Sequence, residues 1–211
     1  MTAVKAYERK RTMTEQQTTL SDEMLASCVE ELGGVRRRAR QEAAHALAAV
    51  AHDTPERIYD IVPQLVEALY RPEAQTRWEV LDALSCIAAE RADLVADGCD
   101  GAEAALFDES SSSVRESAFR FLSCFGATTP ERSNAVWRLL DEAVQCYHGD
   151  PEYRDMLASL LLFAQGSLSD ETRAALIERV SFDAEHGHGY IKAFSGDILK
   201  ALSDAADSNG E

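Results

Sequence analysis

Lysine is almost missing from this chain. Lys5, Lys10, Lys192 and Lys200 are the four lysines of 211 residues, set against 17 arginines and 37 acidic residues, for a formal charge of −16. A surface of that sign repels nucleic-acid phosphates and anionic lipid headgroups, and it favours solubility or a basic partner. The aromatics, 7% of residues, do not interleave with the basic residues as a nucleic-acid platform requires, so binding to nucleic acid is disfavoured. No hydrophobic run approaches the ~18 residues of a membrane span. The basic N-terminus leads into no apolar stretch, which speaks against a secretory signal and makes the cytoplasm the expected compartment. No CxxC occurs among the five cysteines, Cys28, Cys86, Cys99, Cys124 and Cys146. Zinc needs clustered ligands and a disulfide framework needs an oxidising compartment, so reduced thiols are expected, with no metal and no cofactor. Phosphate loop, nucleophile elbow and HExxH are all lacking; no catalytic residue is assigned, and the expectation is a protein that is not an enzyme.

What the chain does have is a period. Leu47, Leu84, Leu122 and Leu160 are 37, 38 and 38 residues apart, inside the windows RQEAAHALAAVA, RWEVLDALSCIA, RESAFRFLSCFG and YRDMLASLLLFA. Aligned on the leucine, Ala44, Leu81, Phe119 and Leu157 form an apolar column, and Val50, Ile87, Phe125 and Phe163 form another. Ala51, Ala88, Gly126 and Ala164 form a column that is always small. Apolar positions three, four and seven apart make the inward stripe of an amphipathic helix, and the small column lets a neighbouring helix approach closely. Self-similarity at this period is the mark of stacked helical hairpins that bury their apolar faces against one another.

The second helix of each hairpin is less regular. Thr54-Pro55-Glu56-Arg57 recurs as Thr129-Pro130-Glu131-Arg132, two units later, with proline in the first turn where its missing N–H costs nothing. Ile58, Val62, Leu65 and Leu69 carry the apolar face in unit one, and Val136, Leu140 and Val144 in unit three. Gly98 and Gly101 should interrupt the second helix of unit two, at roughly a kilocalorie each. Capping boxes are expected at Thr76 with Glu79 and at Ser113 with Glu116. Gly149-Asp150-Pro151 reads as a helix stop, an N-cap and an N1 proline.

The expected architecture is all-α, an α-α superhelix of about four helical hairpins with capping helices. It has a basic tail over 1–20, a single domain over 21–203 and an acidic tail over 204–211. Within the domain lie a cap helix over 21–33, repeats over 35–72, 73–110, 111–149 and 150–183, and a C-terminal cap helix over 189–203. The second helix of the last repeat should be short, near Asp170 to Phe182, and His186-Gly187-His188-Gly189 should be a flexible linker.

The stretches VRRRARQEAAHALAAVA and SVRESAFRFLSCFG resemble the HEAT-repeat family in its short bacterial form, related to the phycobilin-lyase type. The resemblance spans about residues 35 to 182, and it implies first helices on the convex side and second helices on the concave side. It also implies a protein-binding scaffold. The alternatives within the same resemblance are a DNA-binding, alkylation-repair type or a tetrapyrrole-handling, bilin-lyase type.

The candidate partner-binding residues come from two places. Trp78 sits in a column of otherwise polar residues, Gln41, Glu116 and Arg154, so it is expected to be at least partly exposed. It is either a hot spot for an unknown protein partner or, as favoured, a seal over the seam between units. On the second helices, Arg57 with Arg132, Asp60 with Asp97, and Glu67 with Glu142 share columns. Together with Arg138 and Asp141 they should face the concave groove and suit a polar peptide or protein surface. The column Arg40, Arg77, Arg115 reads as structural, bridging to acids of the next unit or to loop carbonyls. His45 aligns with Asp82 and Arg120 in a column expected to be solvated. Monomer and weak dimer both remain open.

Overall fold

The computed structural model describes residues 20–208. The basic tail with Lys5, Arg9, Lys10 and Arg11 lies outside the described residues, as do residues 209–211. Among the described residues there is no strand, and ten α-helices carry the fold. Helix α1 is Asp22–Gly33 and α2 is Arg37–Asp53, followed by a 3-10 segment Pro55–Ile61 that runs into α3, Val62–Ala68. Helix α4 is Ala74–Arg91, and a 3-10 segment Ala96–Gly98 leads into α5, Cys99–Leu106. The longer pairs follow: α6 (Ser112–Gly126) with α7 (Pro130–Cys146), then α8 (Tyr153–Ala164), α9 (Asp170–His186) and α10 (Gly189–Ser208).

Helices α2, α4, α6 and α8 pack each on the next, and α1 closes the outer side of α2. Helix α10 packs on both α9 and α8. It therefore extends the first-helix layer, in the place a fifth unit's first helix would take. The period agrees: Ile198 lies 38 residues after Leu160. Leu47, Leu84, Leu122, Leu160 and Ile198 are all 0% exposed. Burial of such a column along the array is the main stabilising term of a stacked-hairpin protein.

Helix starts follow local side chains, and several differ from expectation. Ser21 caps α1 by accepting from the Met24 amide at 3.3 Å, and Thr129 caps α7 by accepting from Arg132 at 3.2 Å. Helix α6 is capped by Ser111, which accepts from Val114, and not by Ser113. Thr76 lies inside α4, buried, with its Oγ1 lacking a hydrogen bond, so no capping box forms there. Pro151 sits in the turn before α8, whose N-cap is Glu152; Gly149 turns the chain at φ +86°, a region that favours glycine. Pro63 splits unit one's second helix, because it cannot donate to the Tyr59 carbonyl, and the residues before it close into 3-10 geometry.

Two small positions bring helices together. A Cβ at Gly101 would stand 2.7 Å from Leu69 Cδ1, so α3 and α5 approach there through glycine. At Gly126 a Cβ would overlap Val136 Cγ2 and come within 2.8 Å of Phe163 Cε2. The second helix of the last repeat is longer than expected, running to His186. The expected flexible linker is a tight turn in which the Gly187 amide donates to the Asp183 carbonyl at 2.9 Å. Residues 204–208, expected in the acidic tail, continue α10. Among the described residues no helix is long and apolar enough to cross a membrane.

Candidate functional site

The arginine column is a ladder between units. Arg40 pairs with Glu73, the N-cap of α4, with side chains 10% and 6% exposed, and its Nη1 donates to the Gly34 carbonyl at 2.9 Å. Arg77 Nη1 meets Asp108 Oδ2 at 2.7 Å. Arg115 pairs with Glu152, the N-cap of α8, donates to the Asp108 carbonyl at 2.8 Å, and lies 4.8 Å from the centre of the Tyr147 ring. Arg40 and Arg115 thus each join an acid of the following unit to a loop carbonyl, whereas Arg77 pairs with an acid at the end of its own unit. The Arg40 hydrogen bond holds the Glu73 carboxyl below the ordinary range. Burial pushes Asp108 the other way, but hydrogen bonds from Ser110 and Arg77 outweigh it and hold that carboxyl at about 2. These arginines are occupied within the fold.

The second-helix candidates divide into two sets. Arg57 donates to Asp22 of α1 at 2.8 Å, tying the cap helix to unit one. Arg132 is half-buried, its Nη1 donating to Thr128 at 3.0 Å and its guanidinium 5.1 Å from the centre of the Phe125 ring. Asp141 accepts both Nε and Nη2 of Arg179 from α9, at 2.5 and 2.9 Å. Those three are used in packing. Asp60, Glu67, Arg138 and Glu142 are exposed; Arg138, 75% exposed, stands 3.7 Å from Glu103 of α5 and 3.5 Å from Glu142. Asp97, Asp100 and Glu103 on the neighbouring unit are exposed as well. What reaches solvent on these segments is therefore mostly carboxylate.

Trp78 is half-buried and packed against the core. In the column expected to be solvated, His45 is exposed, its side chain 69% accessible, while Asp82 and Arg120 are partly buried, and all three also form ties across units. His45 Nδ1 lies 2.9 Å from Oε1 of Glu79, whose side chain is 5% exposed. Asp82 accepts Arg120 Nη1 at 2.9 Å on Oδ1, while its Oδ2 lies 2.5 Å from His52 Nε2. The other nitrogen of His52 is 3.2 Å from Cys86 Sγ. Hydrogen bonds, first with Asp82 and then with Cys86, push the imidazole up to about 9. Burial pushes the Glu79 and Glu116 carboxyls up. The sequence reading missed the His52 cluster. Its one available signal was that Asp82 and Cys86 are four residues apart on a helix that stacks against the end carrying His52. Among the described residues no group of three or more histidines, cysteines or acids is arranged to hold a metal ion.

No protein-family model matches the chain, and no curated protein sequence matches it. Solved structures do. A designed armadillo repeat protein in complex with the peptide (KR)4 is similar at TM-score 0.69 and 16% identity, covering 85% of this chain and 82% of that one. Two engineered proteins solved by a structural-genomics consortium are similar at TM-scores of 0.68 and 0.67, with 18% and 22% identity. They cover 97% and 90% of this chain, and 98% and 88% of their own. The chain thus has an armadillo- or HEAT-like helical repeat fold.

Proposed function

We propose that this chain is a non-enzymatic, short HEAT-type scaffold that binds a basic polypeptide segment along its second helices. The observation that supports the reading is the division of polar groups just described. First-helix columns and Arg57, Arg132 and Asp141 are engaged within the fold, whereas Asp60, Glu67, Asp97, Asp100, Glu103 and Glu142 present carboxylates to solvent, outnumbering the neighbouring arginines Arg71, Arg91 and Arg138. A row of carboxylates on a chain of formal charge −16 attracts arginine and lysine side chains and repels an acidic partner. That one structurally similar designed protein was solved with (KR)4 makes the same chemistry a sensible probe here.

The test is fluorescence anisotropy of labelled (KR)4 and of an acidic peptide of equal length, at low and moderate salt. The basic peptide should bind, weaken as salt rises, and lose affinity by about tenfold on combined charge reversal, Glu67→Lys with Glu142→Lys, while the melting temperature is kept. Binding by the acidic peptide instead, or indifference to the reversal, refutes the assignment. Should Trp78→Ala abolish binding in a folded protein, the docking face is the one around the indole.

A further inference from the structure

Between the first and second units lies a constellation that packing alone does not require. Asp82 and Cys86 stand one helical turn apart on α4, so one helix face offers a carboxylate and a thiol together. His52, near the end of α2, lies between them: Nε2 is 2.5 Å from Asp82 Oδ2, and the Cys86 sulfur is 3.2 Å from Nδ1 and 3.9 Å from Nε2, beside the ring and off the axis of the Nδ1 lone pair. Asp82 is itself steadied by Arg120 of α6 through its other oxygen, at 2.9 Å. The imidazole and carboxylate side chains are 19% and 18% exposed, and Cys86 is partly buried beside them, at the edge of the core.

We propose that Cys86 is a nucleophilic thiol poised to react with hydroperoxides, with the His52 imidazolium stabilising its thiolate and Asp82 holding the ring in place. The arrangement is that of an activated thiol: a cationic imidazolium beside the sulfur and a carboxylate that orients it. The Cys86 thiol gives its proton to water, and the thiolate attacks the terminal oxygen of the hydroperoxide; the S–O bond forms and the O–O bond breaks. Sulfur loses two electrons to the peroxide. The departing oxygen takes a proton from water, leaving a sulfenic acid on Cys86, an alcohol or water, and His52 still protonated. The pairing with Asp82 that pushes His52 up to about 9 keeps the imidazolium charged at neutral pH.

The other thiols lack this company. Burial pushes Cys28, Cys99 and Cys124 up, Cys99 to about 11. Cys124 occupies the same column as Cys86, 38 residues on, with Arg120 and Asp82 as the charges acting on it. Cys146 is exposed. Cys124 and Cys146 are therefore internal controls, one for position in the repeat and one for access.

The experiment exposes the reduced, full-length protein to dilute hydrogen peroxide with dimedone as the sulfenic-acid trap, and follows each cysteine peptide by mass spectrometry. Cys86 should form its adduct about tenfold faster than Cys124 or Cys146. His52→Asn should bring its rate down to theirs, with far-UV circular dichroism unchanged. Alkylation of the unmodified protein by iodoacetamide should rank the thiols in the same order, which keeps the test open if the variant folds poorly. The proposal is overturned if Cys86 reacts no faster than Cys146 with either probe, or if a folded His52→Asn protein reacts as fast as the parent.

Discussion

Replacing Arg115 by methionine should be among the most destabilising single changes on the polar side of this protein. Its guanidinium faces a carboxylate, Glu152, whose side chain is 4% exposed and whose Oε2 is buried without a hydrogen-bond partner. Removing the cation leaves that charge in a poorly hydrated site, for which a loss of about 3–5 kcal/mol is typical. The bond to the Asp108 carbonyl and the contact with Tyr147 disappear with it. In a chain of this size 1 kcal/mol moves the melting temperature by about 2–4 °C, so a drop of roughly 10 °C is expected. Urea and thermal unfolding followed by circular dichroism measure it. The double variant Arg115→Met with Glu152→Leu should recover much of the loss, since no unpaired charge remains. Arg38→Met is the control: its partner Glu42 is 64% exposed, and the melting temperature should barely move. If Arg115→Met lies within 1 kcal/mol of the parent, or the double variant is no better than the single, the ladder does not hold the units as described.

Three further outcomes are expected. Leu122→Ala, at a fully buried central position, should cost about 2–5 kcal/mol, whereas His45→Ala, which strips a buried Glu79 of one partner, should cost about 1 kcal/mol; equal melting shifts would mean the register is wrong. Gly126→Ala should cost about 1–3 kcal/mol, because its Cβ would collide with Val136 and Phe163, and an unchanged or raised unfolding midpoint would show that α6 and α8 have room to move. His52, at about 9 in the fold against an ordinary 6.5, contributes stability that is complete below about pH 6.5 and lost as pH rises through about 9. Melting temperatures of the parent and of His52→Gln should therefore converge from pH 6 to pH 9, and a constant gap would refute the pairing with Asp82.

The stacking of helices was legible because burial repeats. A leucine that must face the same seam in every unit recurs at 37 or 38 residues, and the small column beside it recurs for the same reason. That period even contains Ile198, which places α10 in the first-helix layer, although its apolar face alone reads as nothing more than a cap. Local starts were harder. Ser111, Ser112 and Ser113 are chemically alike, and which of them caps α6 depends on how the chain leaves the previous unit. Glycines mislead in the same way: Gly101 looks like a helix breaker until Leu69 is found against it.

Polar columns carry less information than apolar ones because their partners do not share the period. Arg40, Arg77 and Arg115 recur regularly, yet Glu73, Asp108 and Glu152 follow them by 33, 31 and 37 residues, since loops of different length deliver the acid. Alignment by period sees the arginines and not the ladder, and it cannot separate an engaged residue from a free one. Arg132 and Arg138 look equivalent in sequence, but one is tied to Thr128 and rests on Phe125, while the other is 75% exposed. The consequence is a separation of effects. Where a polar side chain closes a tie between units, changing it should act first on stability, because a buried partner is left unsatisfied. Where it is exposed and paired only along the surface, as Glu67 is with Arg71 and Glu142 with Arg138, changing it should leave folding nearly untouched and act on whatever approaches that surface. A charge reversal at Glu67 and Glu142 that lowered the melting temperature as much as the loss of Arg115 would collapse that distinction, and with it the reason for looking for the partner on the second helices.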